Sequence, residues 1–460
     1  MTHITIIGGG ITGLATAFYL QKKSQETGCP IDYTLLESTP RLGGKIITHT
    51  IDDFVIEGGP DSFITQKPWG LQLCHDLGIE NQLIPCNQAN QQVYVLQQGK
   101  LISLPNGFRL TIPTQWMPFL KTNLISSIGK MRVWMERFIP RTKFDQDESL
   151  AHFIRRRFGK ETLDKIAGPM MAGIYSADPE TLSMKSTFPK FLELEKQYGS
   201  LLRGIKHYKQ PPHPLFMSLK GGMENLIHSL KEKLHGSIKT ACQVTGIIQK
   251  DHVYEILTES ESFRTQAVVM AIPAYASAHL LADLHPTAFE NLQKISYTST
   301  ATITFGYLDE TKTSHTLKGF GFIVPRTDPS PLLACTWTSS KFNHRAPLNR
   351  LLFRVFVGDK NRQKLTHMSD EELYNITHTE ILAILGLSNK PILHHIDRWE
   401  NAHPQYTVGH LSRMNELQKS LTSFPGLYLA GSGYKGIGIP DCIHEGIHCA
   451  NQIFEDRIAR

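Results

Sequence analysis

The apolar and polar positions at the start of the chain predict a strand, a tight turn and a helix. Residues 4–7 form a short apolar run, Gly8–Gly13 is rich in glycine, and a helix is predicted from Ile11 to about Lys23. A second apolar strand, Asp32–Glu37, ends in an acid 24 residues after Gly13. This order of elements fits the G-x-G-x-x-G unit that binds the pyrophosphate of a dinucleotide. The pattern therefore predicts a nucleotide cofactor at the start of the chain.

Each part of this unit has an expected task. The glycine spacing allows a tight turn, close approach of the backbone to the pyrophosphate, and close packing of helix on strand. The first turn of the helix offers free amides and a partial positive charge. The Glu37 carboxylate is expected to accept hydrogen bonds from ribose hydroxyls. The predicted pyrophosphate-binding residues are Gly8, Gly9, Gly10, Ile11, Thr12 and Gly13.

The end of the chain repeats the pattern of a strand, glycines and a helix. Gly426–Gly431 predicts a strand that runs into a glycine turn, and Gly436–Asp441 leads into a helix that continues to about Phe454. Pro440 suits a first helical turn and Asp441 suits an N-terminal acid. In the middle of the chain, Ser237–Ile248 and Ala267–Pro273 read as further strands. A nucleotide-binding domain assembled from three separated pieces is therefore expected.

Two glycine-pair segments make the pattern more specific. They are Arg41–Lys45 (Arg-Leu-Gly-Gly-Lys) and Glu57–Phe63 (Glu-Gly-Gly-Pro-Asp-Ser-Phe), and glycine pairs let a backbone approach a ligand closely. With them, the chain resembles the flavin-dependent amine oxidase and protoporphyrinogen oxidase superfamily. The resemblance implies an α/β fold: a Rossmann-like FAD-binding domain of the amine oxidase/porphyrinogen oxidase type, a β-sheet substrate domain and a helical lobe. The implied cofactor is FAD.

The resemblance also implies boundaries and cofactor contacts. The FAD-binding domain is expected to be discontinuous, over 1–88, 209–288 and 406–460, with a helical lobe at 89–208 and a substrate-binding domain at 289–405. Beyond the first turn, the implied FAD contacts are Glu37, Arg41, Gly43, Gly44, Lys45, Gly58, Gly59, Pro60, Asp61, Val244, Trp399, Gly431, Ile437, Gly438 and Ile439.

A narrower resemblance rests on three stretches. Cys335–Phe342, Arg398–Tyr406 and the Gly436–Asp441 turn look like the Gram-positive type of coproporphyrinogen III oxidase. This implies cytoplasmic, oxygen-dependent oxidation of a porphyrinogen to a porphyrin in haem synthesis, with six electrons removed and three molecules of H2O2 formed. Other readings stay open: a protoporphyrinogen IX oxidase, a flavin amine oxidase, a carotenoid desaturase, or a non-catalytic flavin-binding partner of a haem-pathway enzyme such as a ferrochelatase.

Candidate substrate contacts follow from the carboxylates of such a substrate. Arginine and lysine bind carboxylates, and Lys67 and Lys341 are the leading anchors, with Arg326 and Arg345 as weaker ones. The candidate apolar walls are Tyr175, Phe188 and Trp337. No catalytic side chain is assigned, because the flavin performs the hydride transfer and tautomerisation of the substrate completes the reaction. Relatives commonly carry a larger residue at Gly58, so we expect Gly58→Arg to be tolerated by the fold and to alter substrate affinity.

The composition narrows the classes of function and the cellular compartments that fit the chain. There are 48 basic and 42 acidic residues, an excess that is too diffuse to predict nucleic-acid binding. The seven cysteines contain no C-x-x-C motif, which favours a reducing compartment. No signal peptide and no apolar run long enough to span a membrane is visible. No metal site is expected, because the pair His394–His395 has no partner at ligand spacing and His444 with His448 lacks a third ligand.

The helical lobe carries an open question about membranes. Its aromatic and basic residues around Trp116, Phe119, Trp134 and Phe138 could contact a bilayer surface. The alternative is a lobe that packs its apolar stripe inward with lysine and arginine in solvent, which is the preferred interpretation. Any membrane contact is expected to be peripheral at most.

Overall fold

The computed structural model describes residues 2–89, 91–105, 107–109, 112–142, 146–207, 213–251, 253–308, 317–358 and 363–458, without the side chains of 172–175, 457 and 458. Its strands are β1 (Thr2–Ile7), β2 (Ile31–Leu36), β3 (Thr48–Ile51), β4 (Phe54–Glu57), β5 (Phe63–Ile64), β6 (Leu83–Pro85), β7 (Val93–Gln97), β8 (Lys100–Ser103), β9 (Phe108–Arg109), β10 (Ile112–Pro113), β11 (Phe216–Leu219), β12 (Ser237–Lys239), β13 (Val244–Lys250), β14 (Val253–Thr258), β15 (Ser262–Thr265), β16 (Ala267–Met270), β17 (Tyr297–Leu308), β18 (Gly321–Ile323), β19 (Ala334–Trp337), β20 (Arg350–Val357), β21 (Leu393–Pro404) and β22 (Leu427–Leu429).

The α-helices lie between these strands and at both ends of the fold. They are α1 (Ile11–Thr27), α2 (Trp69–Leu77), α3 (Trp116–Lys121), α4 (Ser127–Trp134), α5 (Leu150–Phe158), α6 (Lys160–Thr162), α7 (Gly168–Tyr175), α8 (Met184–Thr187), α9 (Pro189–Tyr198), α10 (Leu201–Gly204), α11 (Glu224–Lys233), α12 (Ala274–Leu281), α13 (Pro286–Gln293), α14 (Thr338–Lys341), α15 (Asp370–Leu385), α16 (His410–Leu421) and α17 (Ile439–Ile458).

The fold begins with a five-stranded parallel sheet in the order β12-β2-β1-β16-β22. Its strands are short apolar runs because helices or a second sheet cover both faces. On one face, Ile4, Ile6 and Val269 pack against the helices α1, α2, α11 and α17. On the other face, Ile7 and Met270 pack with the antiparallel sheet β13-β14-β15 and the helices α12, α13 and α16. This three-layer arrangement confirms the predicted α/β class.

A separate seven-stranded sheet has the order β21-β17-β20-β19-β18-β7-β8 and its own hydrophobic core. The long strand β17 lies between β21 and β20 and is buried over most of its length, and α15 covers one face through Leu373 and Ile381. The strands β7 and β8 lie within the 89–208 segment that was expected to be helical. They join this sheet instead, because the short alternating run at Val93–Gln97 pairs with β18 in parallel.

The helical lobe is built from α3 to α10. Its core contains Phe119, Phe153 and Phe191, and the rings of the last two stack with their centroids 6.3 Å apart. A fully buried ion pair between Arg157 and Glu136 crosses the lobe, and Glu136 also accepts a hydrogen bond from Ser200 Oγ at 2.5 Å. No helix within the described ranges is both long enough and apolar enough to cross a bilayer.

The predicted strand at Ser237–Ile248 is in fact two strands in different sheets. β12 closes the parallel sheet beside β2, whereas β13 begins the antiparallel sheet. The chain changes direction between them at Ala241, whose φ is +50°. The backbone amides of Ala241 and Cys242 donate hydrogen bonds to the carbonyls of Thr39 and Glu37, both at 2.9 Å, so this bend is tied to the end of β2.

Candidate active site

The first glycine turn is shaped by close backbone contacts. The Gly8 amide donates to the Leu36 carbonyl at 2.8 Å, which fixes the turn at the carboxyl end of the parallel sheet. A Cβ atom on Gly13 would lie 2.0 Å from the Gly8 carbonyl oxygen, so only glycine lets α1 pack this closely. Gly10 differs, because a Cβ atom there would meet no protein atom within 4 Å. No side chain caps the N-terminus of α1, so no side chain competes with a ligand for its first amides.

The acid and the second glycine turn are joined to the first turn. Glu37 Oε2 accepts a hydrogen bond from the Gly9 amide at 2.7 Å, and the Gly43 amide donates to the Gly9 carbonyl at 2.8 Å. The Arg41 guanidinium donates to the carbonyls of Leu42 at 2.9 Å and Ile46 at 2.8 Å. Arg41 therefore holds the shape of this turn, a task that the sequence alone did not reveal.

The third segment, Gly58–Asp61, lies against the second. A Cβ atom on Gly59 would be 1.7 Å from the Lys45 carbonyl oxygen, so this segment is in direct backbone contact with the end of the Arg41–Lys45 segment. The Gly58 carbonyl accepts hydrogen bonds from Trp399 Nε1 at 2.8 Å and Arg354 Nη2 at 2.9 Å. Two strands of the seven-stranded sheet thus fix the segment that the resemblance places along the flavin.

Arg354 was missed by sequence reasoning, although a signal was present. It is the one charged residue inside the otherwise apolar run Leu351–Val357, and it is buried. A buried arginine requires hydrogen-bond or charge partners, and here they are the Gly58 carbonyl and the charges of Asp61 and Glu57. A lone arginine in an apolar strand therefore indicated a contact with another segment.

A lysine and a histidine meet where the two sheets approach each other. Lys45 Nζ donates to the carbonyl of Ala402 in β21. Burial lowers the pKa of Lys45, and burial together with the Lys45 charge lowers the pKa of His403 to about 4. His403 Nε2 is hydrogen-bonded to Thr300 Oγ1 at 2.9 Å. At neutral pH the His403 imidazole is therefore uncharged, beside the half-buried amine of Lys45.

The C-terminal turn lies against the first one. Gly431 follows β22, and Ile437, Gly438 and Ile439 lead into α17. A Cβ atom on Gly446 would be 2.8 Å from the Thr12 carbonyl oxygen, so α17 packs tightly on α1. The Tyr406 hydroxyl donates to the Ser432 carbonyl at 2.7 Å, which joins this turn to the segment after β21.

Val244 lies near the same edge of the parallel sheet. It is the first residue of β13 and is buried in one core with Ile7 and Leu36. Its neighbour Cys242 is hydrogen-bonded through its amide to the Glu37 carbonyl. The structure thus brings Val244 close to the end of β2, where the predicted ribose ligand Glu37 also lies.

Each predicted carboxylate anchor has an acidic partner. The ion pairs are Lys67–Asp441 at 2.6 Å, Lys341–Asp61 at 2.7 Å, Arg326–Asp178 at 2.9 Å and Arg345–Glu57 at 3.2 Å. The weaker candidate Arg345 is wrong as an anchor, because both members of its pair are buried and it also donates to Ser218 Oγ at 2.6 Å. Burial alone would raise the pKa of Asp61, but Lys341 and Ser62 outweigh it and hold that pKa at about 2.

The three aromatic residues predicted to line the substrate pocket lie in different surroundings. Trp337 is 1% exposed and packs in the core beside Tyr94 and Phe353, so its assignment as a substrate wall is wrong. Its position at the end of a strand inside an apolar sheet accounts for this burial. Phe188 stacks on Phe191 within the lobe. The side chain of Tyr175 lies outside the described residues.

The lobe exposes more apolar surface than expected. Phe119 is buried, but a groove of about 610 Å³ is lined by Trp116, Leu120, Ser127, Lys130, Met131, Trp134 and Arg137. The large side chains exposed on this lobe, here called the lobe patch, are Met117, Leu120, Ile128, Met131, Trp134, Met135 and Phe138. The apolar stripe therefore does not all pack inward, contrary to the preferred interpretation, and such patches mark interaction surfaces.

Comparison with known proteins decides the family. The flavin containing amine oxidoreductase family matches residues 11–454, nearly the whole chain. The chain belongs to this family. It is a flavin-dependent oxidoreductase with FAD as its cofactor. The open space in front of Gly10, the uncapped first turn of α1 and the carboxylate of Glu37 beside the Gly9 amide fit the pyrophosphate and ribose of FAD.

Full-length relatives narrow the comparison. The chain is 35% identical to the coproporphyrinogen III oxidase of Bacillus subtilis (strain 168), with 96% of each chain covered. It is 30% identical to the coproporphyrinogen III oxidase of Staphylococcus aureus (strain NCTC 8325 / PS 47), with 98% of this chain and 99% of the relative covered. A crystal structure provisionally named protoporphyrinogen oxidase, from Exiguobacterium sp. 255-15, superposes with a TM-score of 0.88 at 32% identity and 98% coverage of both chains.

Proposed function

We propose that this flavoenzyme oxidises coproporphyrinogen III to coproporphyrin III with molecular oxygen as acceptor. The observation that carries the proposal is the 35% identity to a coproporphyrinogen III oxidase over 96% of both chains. In this reaction the porphyrinogen loses six electrons and six protons, and three O2 become three H2O2. When bound, FAD supplies the two-electron acceptance and the return of electrons to oxygen that the chemistry needs.

The chain's own residues have three proposed tasks at this site. The amides of the glycine turns and the helix N-termini bind the anionic parts of the cofactor. Trp399 and Arg354 hold the Gly58 carbonyl, which keeps the Gly58–Asp61 segment in place. Lys45 holds its half-buried amine against β21, and its protonated form would stabilise negative charge that develops nearby during the reaction.

Substrate carboxylates are proposed to compete for two of the paired lysines. Lys67 and Lys341 keep the role of propionate anchors, and both already bind an aspartate. A propionate would therefore share the lysine or replace the aspartate. The Lys67–Asp441 pair is more open to solvent than the Lys341–Asp61 pair, so Lys67 is the anchor that exchanges partners at the lower cost.

The test is a steady-state comparison of three substrates with oxygen as acceptor. Purified enzyme is assayed with coproporphyrinogen III, protoporphyrinogen IX and a simple diamine, by porphyrin fluorescence and peroxide release. The proposal expects the largest kcat/KM for coproporphyrinogen III and none for the amine. A larger value for protoporphyrinogen IX, or peroxide release with the amine, overturns it. Lys67→Met is expected to raise KM more for coproporphyrinogen III, which carries two more propionates.

We further propose that the enzyme works in the cytoplasm and contacts an anionic membrane surface through the lobe patch. Seven large apolar side chains are exposed there. Lys130 and Arg137 line the same groove, and the Arg137 guanidinium lies 5.4 Å from the centre of the Trp134 ring. Apolar side chains mixed with basic ones are typical of peripheral binding to anionic lipid. The porphyrin product is expected to pass to a haem-pathway enzyme such as a ferrochelatase.

Co-sedimentation with liposomes tests the membrane contact. Vesicles with anionic lipid should bring down the wild type at physiological salt, and Ile128→Glu with Met131→Glu should leave the protein in the supernatant. Leu348→Glu is the matched control, because Leu348 is 89% exposed but lies outside the lobe patch. No sedimentation of the wild type, or equal sedimentation of the doubly substituted protein, contradicts the proposal.

A further inference from the structure

Two histidines and an aspartate lie close together beside Gly58. His395 and Asp397 are two positions apart in β21 and therefore point to the same side of the strand. His49 comes from β3, in the hairpin formed by β3 and β4. Its Nε2 lies 2.9 Å from Asp397 Oδ1, and His395 Nε2 lies 3.6 Å from the same oxygen. The fold thus supplies the ligand partner that the pair His394–His395 lacks in the sequence.

The spacing of these atoms matches a metal coordination shell. One ligand atom from each of the three side chains lies within 4.8 Å of the other two. In a tetrahedral zinc site with bonds of about 2.0–2.1 Å, neighbouring ligand atoms are about 3.3 Å apart. The distances of 2.9 and 3.6 Å lie on either side of that value. Small side-chain rotations would therefore convert this hydrogen-bonded group into a set of three ligands.

The surroundings also favour a cation. The side chains of His49, Asp397 and His395 are 25%, 11% and 27% exposed, which leaves room for water as a fourth ligand. Asp397 Oδ2 is buried and has no hydrogen-bond partner among the described residues. A buried carboxylate oxygen without a partner is costly, and a cation bound by both oxygens of Asp397 would remove that cost.

Gly58 makes room for this arrangement. A Cβ atom on Gly58 would lie 2.7 Å from Asp397 Oδ1 and 2.6 Å from Ile47 Cγ2. Gly58→Arg was expected to be tolerated by the fold, and the structure shows that the side chains of Ile47 and Asp397 would have to move to accept it. The absence of a side chain at residue 58 is what lets Asp397 reach the two imidazoles.

We propose that His49, His395 and Asp397 bind one divalent transition-metal ion. Imidazole and carboxylate ligands suit Zn2+ and related ions. The ion would join the β3–β4 hairpin to β21, the edge strand of the seven-stranded sheet. The role we assign to the site is structural, because its ligands come from β3 and β21 and Asp397 lies beside Gly58, whose carbonyl is held by Trp399.

Zn2+ binding to the flavin-loaded enzyme tests the proposal. After treatment with a chelator and its removal, calorimetric titration of the wild type should show one Zn2+ per chain, and Zn2+ should raise the thermal unfolding midpoint. His49→Gln and His395→Gln should each weaken binding roughly tenfold or more, since even supporting residues around a metal contribute that much. Asp397→Asn keeps the shape of the side chain and should abolish the shift of the midpoint.

The matched control is His394→Gln. His394 adjoins His395 in the sequence but contacts Tyr374, with ring centroids 4.6 Å apart, so this variant should bind Zn2+ like the wild type. Flavin absorbance confirms that each variant is folded. The proposal is overturned if the wild type binds no Zn2+, if His49→Gln and Asp397→Asn bind as the wild type does, or if binding is lost in His444→Gln instead.

Discussion

Gly10→Ala separates the cofactor-binding role of the first turn from its structural role. Gly10 precedes α1 with φ −73° and ψ 177°, a conformation that any residue adopts. A Cβ atom at this position meets no protein atom within 4 Å. The substitution therefore does not disturb the protein itself, and a rigid residue in place of glycine should stabilise the FAD-free form by about 0.4–1 kcal/mol.

The same substitution should weaken the binding of FAD. A phosphate oxygen that accepts from the first amides of α1 must come within about 3 Å of their nitrogens, so the new methyl group takes part of that space. Loss of one hydrogen bond to a charged group costs about 1.5–3 kcal/mol. Converted to a binding constant, this is a Kd for FAD that is roughly 10- to 150-fold weaker.

The assay measures both quantities on the same protein. Apoprotein is titrated with FAD by flavin fluorescence, and its unfolding is followed in urea. Gly246→Ala is the control, because its Cβ would make only an ordinary 3.4 Å contact with Leu257 and FAD affinity should not change. An unchanged Kd for FAD in Gly10→Ala refutes the assignment of this turn to the pyrophosphate, and a destabilised apoprotein refutes the claim that the space is open.

Three further predictions concern the surrounding structure. Gly59→Ala should give no flavin-bound protein, because its Cβ would lie 1.7 Å from the Lys45 carbonyl oxygen; normal flavin content after purification would disprove this. Trp399→Phe should lose the hydrogen bond to Gly58 at a cost of about 1 kcal/mol and lower kcat while FAD stays bound, which flavin content and turnover check together. Burial lowers the pKa of His410 to about 4, so the unfolded chain takes up the proton first and about 3 kcal/mol of stability is lost as the pH falls from 6.5 to 4. Urea midpoints measured across that range should fall less steeply in His410→Gln, and equal slopes would contradict the assignment.

The cofactor turn was predictable from sequence because its signal is local. Strand, glycines, helix and acid follow one another within residues 4–37, and the helix begins at Ile11 as expected. The α/β class followed from the family resemblance that these motifs and the two glycine-pair segments carry, and the five-stranded parallel sheet confirms it.

The features that the sequence did not predict depend on contacts between residues far apart in the chain. Lys67 and Asp441 are 374 positions apart, and His49 and Asp397 are 348 apart, so neither pair has a sequence pattern. The strands β7 and β8 were assigned to the helical lobe because their partner β18 lies more than 200 residues further along the chain. The position of Trp337 was misjudged because the sequence around an aromatic residue does not distinguish a side chain that lines a pocket from one that fills a core.

The central claim is that a porphyrinogen gives its electrons to the flavin of this chain. The most direct measurement is anaerobic mixing of the purified FAD-loaded enzyme with coproporphyrinogen III, followed by flavin absorbance and porphyrin fluorescence. We predict loss of the oxidised flavin spectrum together with the appearance of porphyrin, and recovery of that spectrum when oxygen is admitted. A flavin that stays oxidised in the presence of the porphyrinogen would contradict the claim.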